Sequence, residues 1–98
     1  MHLTGKQKRT LRAKGHHLKP TVNVGKQGLT PPMLVQVEDQ LLAHELGKVK
    51  VLKSCPTEMA ALTGAIVQAT GAAVAQSIGR TVLLYRPHPE APVIVFPQ

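Results

Sequence analysis

The chain has 98 residues, a hydrophobic share of 43% and a formal net charge of +7, a composition that builds one folded domain with a small core rather than a disordered chain. No apolar run approaches the roughly 18 residues of a membrane helix, the N-terminus has no secretory hydrophobic region, and the single cysteine, Cys55, excludes an intrachain disulfide and suits a reducing compartment. The charge is concentrated in front: residues 1–28 carry Lys6, Lys8, Arg9, Arg12, Lys14, Lys19 and Lys26 without an acid, while the five later cations are matched by five acids, a distribution suited to a polyanionic partner.

Leu3-Thr4 opens the first predicted helix, with Thr4 as its N-cap and Leu3 in the position of a hydrophobic staple. Lys6, Lys8, Arg9 and Arg12 spread over one broad arc, Leu3 and Leu11 lie on the other side, and Gly15 ends the helix. A basic face of this kind is commonly just solvated surface. Its apolar side is narrow and lacks aromatics, which disfavours a membrane surface as partner.

The β-branched run Thr21-Val22-Asn23-Val24 predicts a strand, Gly25-Lys26-Gln27-Gly28 a turn, and Thr30-Pro31-Pro32 the start of a helix. Lys26 therefore falls beside a helix N-terminus, where free N–H groups and the helix dipole attract an anion. Two glycines also permit close approach of a sugar-phosphate chain. A lone GxxG is common and by default makes only a tight turn; the surrounding charge is what gives this one weight.

The second helix is predicted from Pro31 to about His44, with Leu34, Val37 and Leu41 as its inward stripe and Gly47 closing it. Lys48 to Lys53 alternates charged and apolar residues like a strand with one wet face, whose lysines either extend the basic surface or simply keep that face soluble. Pro56 and Thr57 open a third helix reaching about Thr70, with Met59, Leu62, Ile66 and Ala69 inward, Gly71 as its stop, and alanines that suggest close contact with a sheet. Ala73–Ile78 and Thr81–Arg86 are strands joined by the hairpin signal Gly79-Arg80. Residues 88–98 form a Pro-rich tail in which Val93 to Phe96 is expected to add to a sheet edge or dock on a partner. The order α-β-α-β-α-β-β implies an α/β fold: a two-layer domain with a four-stranded mixed sheet and three helices.

Several blocks together resemble a known family: Leu3-Thr4-Gly5-Lys6-Gln7-Lys8-Arg9, His16-His17-Leu18-Lys19-Pro20, Val24-Gly25-Lys26-Gln27-Gly28-Leu29-Thr30, Lys48-Val49-Lys50-Val51-Leu52, Ala69-Thr70-Gly71 and Ile78-Gly79-Arg80-Thr81-Val82-Leu83-Leu84-Tyr85-Arg86. In order and spacing they are similar to the YhbY-type CRM domain, the chloroplast RNA splicing and ribosome maturation module, over about residues 1–87. The resemblance implies a fold similar to the C-terminal domain of translation initiation factor 3 and RNA as ligand, with ribosomal RNA in large-subunit precursors as the expected partner. It maps the family's GxxG loop onto Gly25, Lys26, Gln27 and Gly28, and its basic helix onto Lys6 to Lys14. The third helix is poorer in charge than the family's pattern, and the tail from His88 lies outside the match.

With an aromatic share of 2%, the chain lacks the stacking platform of sheet-type RNA readers, so recognition is expected to run through the sugar-phosphate backbone and RNA shape. The expected RNA-binding set is Lys6, Lys8, Arg9, Arg12, Lys14, Lys19, Gly25, Lys26, Gln27 and Gly28, with Arg80 and Arg86 as secondary candidates. His16, His17, His44 and Cys55 show no metal-ligand spacing. The expectation is a cytoplasmic, monomeric, non-enzymatic protein without cofactor or small-molecule substrate. The alternatives are an interaction module that sets the basic helix on an acidic protein surface, and a general nucleic-acid binder.

Overall fold

The computed structural model describes residues 2–20 and 22–96. Helix α1 (Gly5–Gly15) starts where its capping chemistry starts. Thr4 is extended, its hydroxyl oxygen accepts the Gln7 N–H at 3.1 Å, and its own N–H donates to Gln7 Oε1 at 2.9 Å, so two orphan donors of the first turn are satisfied reciprocally. Leu3 is buried in the cluster with Leu46 and Tyr85 rather than stapled to its N4 partner, which is the exposed Lys8, and Gly15 is the last helical residue.

Strand β1 (Val22–Val24) follows; the predicted first residue of that strand, Thr21, lies outside the described residues. Helix α2 (Pro31–His44) then returns the chain so that β2 (Leu46–Val51) runs parallel to β1. Glu45, not Gly47, closes α2. It takes the left-handed conformation at φ 61° and donates its N–H to Leu41 O at 2.8 Å. Gly47 sits inside β2, where an added Cβ would meet Leu41 Cδ2 at 3.4 Å, so its smallness serves the approach of helix to strand. Strand β2 accordingly begins two residues earlier than Lys48 and ends before Lys53.

Helix α3 (Met59–Thr70) begins after the predicted Pro56-Thr57, because Glu58 is the extended residue whose carbonyl accepts the first helical N–H, from Leu62. Its inward side is Leu62, Ile66 and Thr70. Ala69 faces solvent, as do Ala60, Ala61 and Ala65. The alanines therefore supply helix propensity on the outer face rather than close packing, which corrects the expectation drawn from them. Gly71 ends the helix at φ 73°. Strands β3 (Ala73–Ile78) and β4 (Thr81–Tyr85) form an antiparallel hairpin with Gly79 at φ 56° in its turn, and β4 stops one residue short of Arg86.

The sheet order is β1-β2-β4-β3, mixed in direction. Element order and sheet type match the expectation; the number of layers does not. Because strand residues alternate between faces, Val22, Val24, Val49, Val51, Val82 and Leu84 pack with Val37, Leu41, Leu62 and Ile66 of α2 and α3 on one face. Leu46, Ala73, Ala75, Leu83 and Tyr85 pack with Leu11 of α1 and with Leu3, which precedes it, on the other. The helices thus cover both faces in three layers.

The tail joins the α1 layer. Ile94 and Phe96 pack against the cluster containing Leu3, Leu46 and Tyr85, and the Phe96 ring meets Tyr85 edge-on at 5.6 Å. Over its described residues the tail does not extend the sheet: Ile94 and Phe96 dock on the domain itself while Val93 and Val95 face solvent.

Candidate nucleic-acid interface

Helix α1 is seated by Leu11 and by Gly15, where a Cβ would fall 2.6 Å from Leu83 Cδ2. Its last residue and the segment after it are held by the Lys48 ammonium, which donates to Gly15 O at 3.1 Å and Leu18 O at 3.0 Å. That places a cation at the negative end of the helix dipole. Lys48 is thereby engaged in the fold.

Beyond the end of α1 the sheet is uncovered. One row of residues in cross-strand register crosses all four strands: Asn23 opposite Lys50, Lys50 opposite Thr81, and Thr81 opposite Ile78. Asn23, Lys50 and Ile78 are exposed and Thr81 is half-buried. At 4.7–4.9 Å per strand the row is about 14 Å long. Between it and α1 runs an open groove of about 470 Å³, walled by Arg12, Gly15 and His16 of the helix end and by Pro20, and floored by Lys48, Lys50, Gln76, Ile78, Thr81 and Leu83. No acidic side chain lines it.

The expected site residues divide around this groove. At 3.6 residues per turn, Arg12 and Lys8 share the flank of α1 beside it, Arg9 points outward, and Lys6 and Lys14 lie toward the opposite flank; all five are exposed. Lys19 is exposed in the segment leading to β1. Gly25 begins the loop that leaves the β1 end of the row, and its carbonyl accepts the Gly28 N–H at 2.9 Å, closing a turn with Lys26 and Gln27 exposed at its tip. Gly28 is buried at φ 72°. Its part is to take a left-handed conformation, so the surface this loop offers is the Lys26-Gln27 tip rather than bare glycine backbone. The helix N-terminus behind it is also a weaker anion site than expected, because Pro31 and Pro32 remove two first-turn N–H donors.

Arg80 is exposed in the β3–β4 turn and borders a recess lined by Cys55 to Met59 and Gly79. Arg86 leaves the candidate set. Its guanidinium forms an ion pair with Glu38 of α2 and donates to Thr70 O at 2.7 Å, which ties α2 to the end of α3. Sequence reasoning missed Lys50 and Gln76 as groove residues. The alternation of Lys48 to Lys53 put Lys50 on the wet face, but nothing in it showed that α1 would leave Lys50 free while capturing Lys48.

The molecule is thus an α/β domain whose sheet presents a cation-rimmed groove beside its basic helix. The chain belongs to the CRS1 / YhbY (CRM) domain family, which it matches over residues 3–86, a non-catalytic family. It is 42% identical over 95 residues to the "Probable RNA-binding protein YqeI" of Bacillus subtilis (strain 168), covering 97% of this chain and 99% of that one. An "RNA-binding protein" of Haemophilus influenzae is 43% identical over 91 residues, covering 93% of this chain and 92% of the relative. The solution structure of the hypothetical protein SAV1595 from Staphylococcus aureus superposes with a TM-score of 0.78 at 36% identity, covering 98% of this chain and 100% of that one. Among the described residues no three His, Cys, Asp or Glu side chains gather as metal ligands would, and no helix is long and apolar enough to cross a membrane.

Proposed function

We propose that this protein binds RNA, and that its target is ribosomal RNA in precursors of the large ribosomal subunit, where it acts as a cytoplasmic monomer. Two relatives of nearly full length carry the name RNA-binding protein. The observation that carries the reading is the exposed row Asn23, Lys50, Thr81 and Ile78, with Arg12 above it and the Lys26-Gln27 tip at its β1 end. A strand of RNA laid along this row meets cations from α1, β2 and the GxxG loop in succession. Lys8, Arg9 and Lys19 extend the same field. Contacts to phosphate fix register and supply most of the affinity.

The salt dependence of binding tests this. Replacing Arg12 or Lys26 by alanine is expected to lower the slope of log K against log salt by about 0.7–0.9 per lost phosphate contact, and R86A to leave the slope as it was. Unchanged slopes in both R12A and K26A would remove those side chains from the interface. In cells, particles that co-purify with the protein should be released by nuclease. Particles retained after nuclease would favour docking on an acidic protein surface, and equal competition by duplex DNA would make the chain a general nucleic-acid binder.

A further inference from the structure

Resting on the RNA-binding reading, we propose that the groove between α1 and the sheet receives one unpaired nucleotide of the bound RNA, its base lying on Ile78 and its edge read by Gln76. Ile78 is 64% exposed, and a single exposed aliphatic residue means nothing by itself. Its setting gives it weight: it floors a concave groove together with the buried Leu83, against the backbone of Gly15, with Arg12 on the wall and Lys50 beside it on the floor. Two apolar side chains, Ile78 and Leu83, set among hydrogen-bonding and cationic ones in a groove of about 470 Å³, give a planar group both a surface to lie on and polar groups at its edge, and a lining without acids suits one tethered to phosphate.

Neither Tyr85 nor Phe96 takes that part. Tyr85 and Phe96 meet edge to face where the tail docks. A base in this groove therefore lies on an aliphatic floor, with the Arg12 guanidinium plane available above it, a surface on which bases stack. The Gln76 amide offers both a donor and an acceptor to a base edge. Bases in a continuous duplex are stacked away from such a groove, so only a bulged, looped or single-stranded nucleotide reaches it.

The test compares two blunt RNA duplexes of equal charge, one fully paired and one with a bulge, by fluorescence anisotropy at a single salt concentration. The protein is expected to bind the bulged RNA about tenfold more tightly, within what a seated base contributes. Substitutions I78A and Q76A should each reduce that preference to within about twofold, whereas R12A should weaken both RNAs. A 4-thiouridine placed in the bulge should crosslink to the Gln76–Ile78 segment. Equal affinity for the two RNAs, an undiminished preference in both I78A and Q76A, or crosslinks confined to the Lys26-Gln27 tip would overturn the proposal. Binding to neither RNA would remove the RNA-binding reading as well.

Discussion

Glu45 holds more of the molecule together than any other charged residue described. Its backbone closes α2 and accepts the Arg86 N–H at 3.0 Å, while its carboxylate accepts N–H groups from His88 at 2.6 Å, Val93 at 2.8 Å and Ile94 at 2.7 Å. Burial by itself would raise the carboxyl pKa, but those three backbone donors and the nearby His88 outweigh it and hold the group below its ordinary value. The same burial, with the Glu45 charge beside it, raises the Tyr85 phenol. A depressed folded-state pKa contributes stability that is fully present above the ordinary glutamate value of about 4.3 and is lost as the pH falls through the lowered one. Substitution E45Q keeps one acceptor oxygen but turns an amide donor toward N–H groups, and should cost about 2 kcal/mol at neutral pH. Denaturation of both proteins across the acid range should show that gap narrowing below about pH 4; a constant gap would mean the carboxylate charge is irrelevant. Arg86 has the complementary role. R86A leaves Thr70 O and Glu38 without their guanidinium and should lower stability by about 1–3 kcal/mol, measured by the same denaturation.

At the scale of elements, two helical glycines make opposite predictions. Gly64 faces open space on α3, with nothing within 4 Å of an added Cβ, so G64A should stabilise by about 0.5–1 kcal/mol through propensity and unfolded-state entropy. Gly15 ends α1 against Leu83, and G15A must displace a side chain only 3% exposed. The cost of overpacking, about 1–3 kcal/mol, should exceed the propensity gain, so the two melting temperatures are expected to move in opposite directions. What separates them is the neighbour across the layer boundary, which a pattern along one chain does not record. The limits of α1 and α2 were legible for the converse reason: Thr4, Gly15 and Pro31 act on residues within a turn of themselves. The residue that caps the end of α2 was not. The residue in left-handed geometry there is Glu45, whose side chain is justified by tail residues more than forty positions away.

For the whole molecule, the informative feature is the division of labour between the two faces of the sheet. The α2–α3 face is an ordinary apolar core. On the other face α1 and the tail cover only part of the sheet, leaving the row from Asn23 to Ile78 open at the end where the GxxG loop emerges. Arg12 and Lys26 were legible as candidates because charge survives as charge wherever the chain folds; Lys50 was not. Their grouping was not, since it depends on where α1 stops, on Lys48 being taken up by the helix end, and on Arg86 being drawn to Glu38 on the opposite face. The tail brings no cation to this surface, so its removal separates stability from binding. A chain ending at Pro87 loses the packing of Ile94 and Phe96 and the donors that satisfy Glu45. Its stability should fall by about 2–4 kcal/mol, and its acid sensitivity should resemble that of E45Q, because the carboxylate then meets water instead of backbone. If residues 1–87 are the functional domain, the salt slope of RNA binding by the shortened chain, measured well below its melting temperature, should equal that of the full chain. A reduced slope in a folded truncated protein would mean that the tail sets the position of α1 and that the interface and the tail are one functional unit.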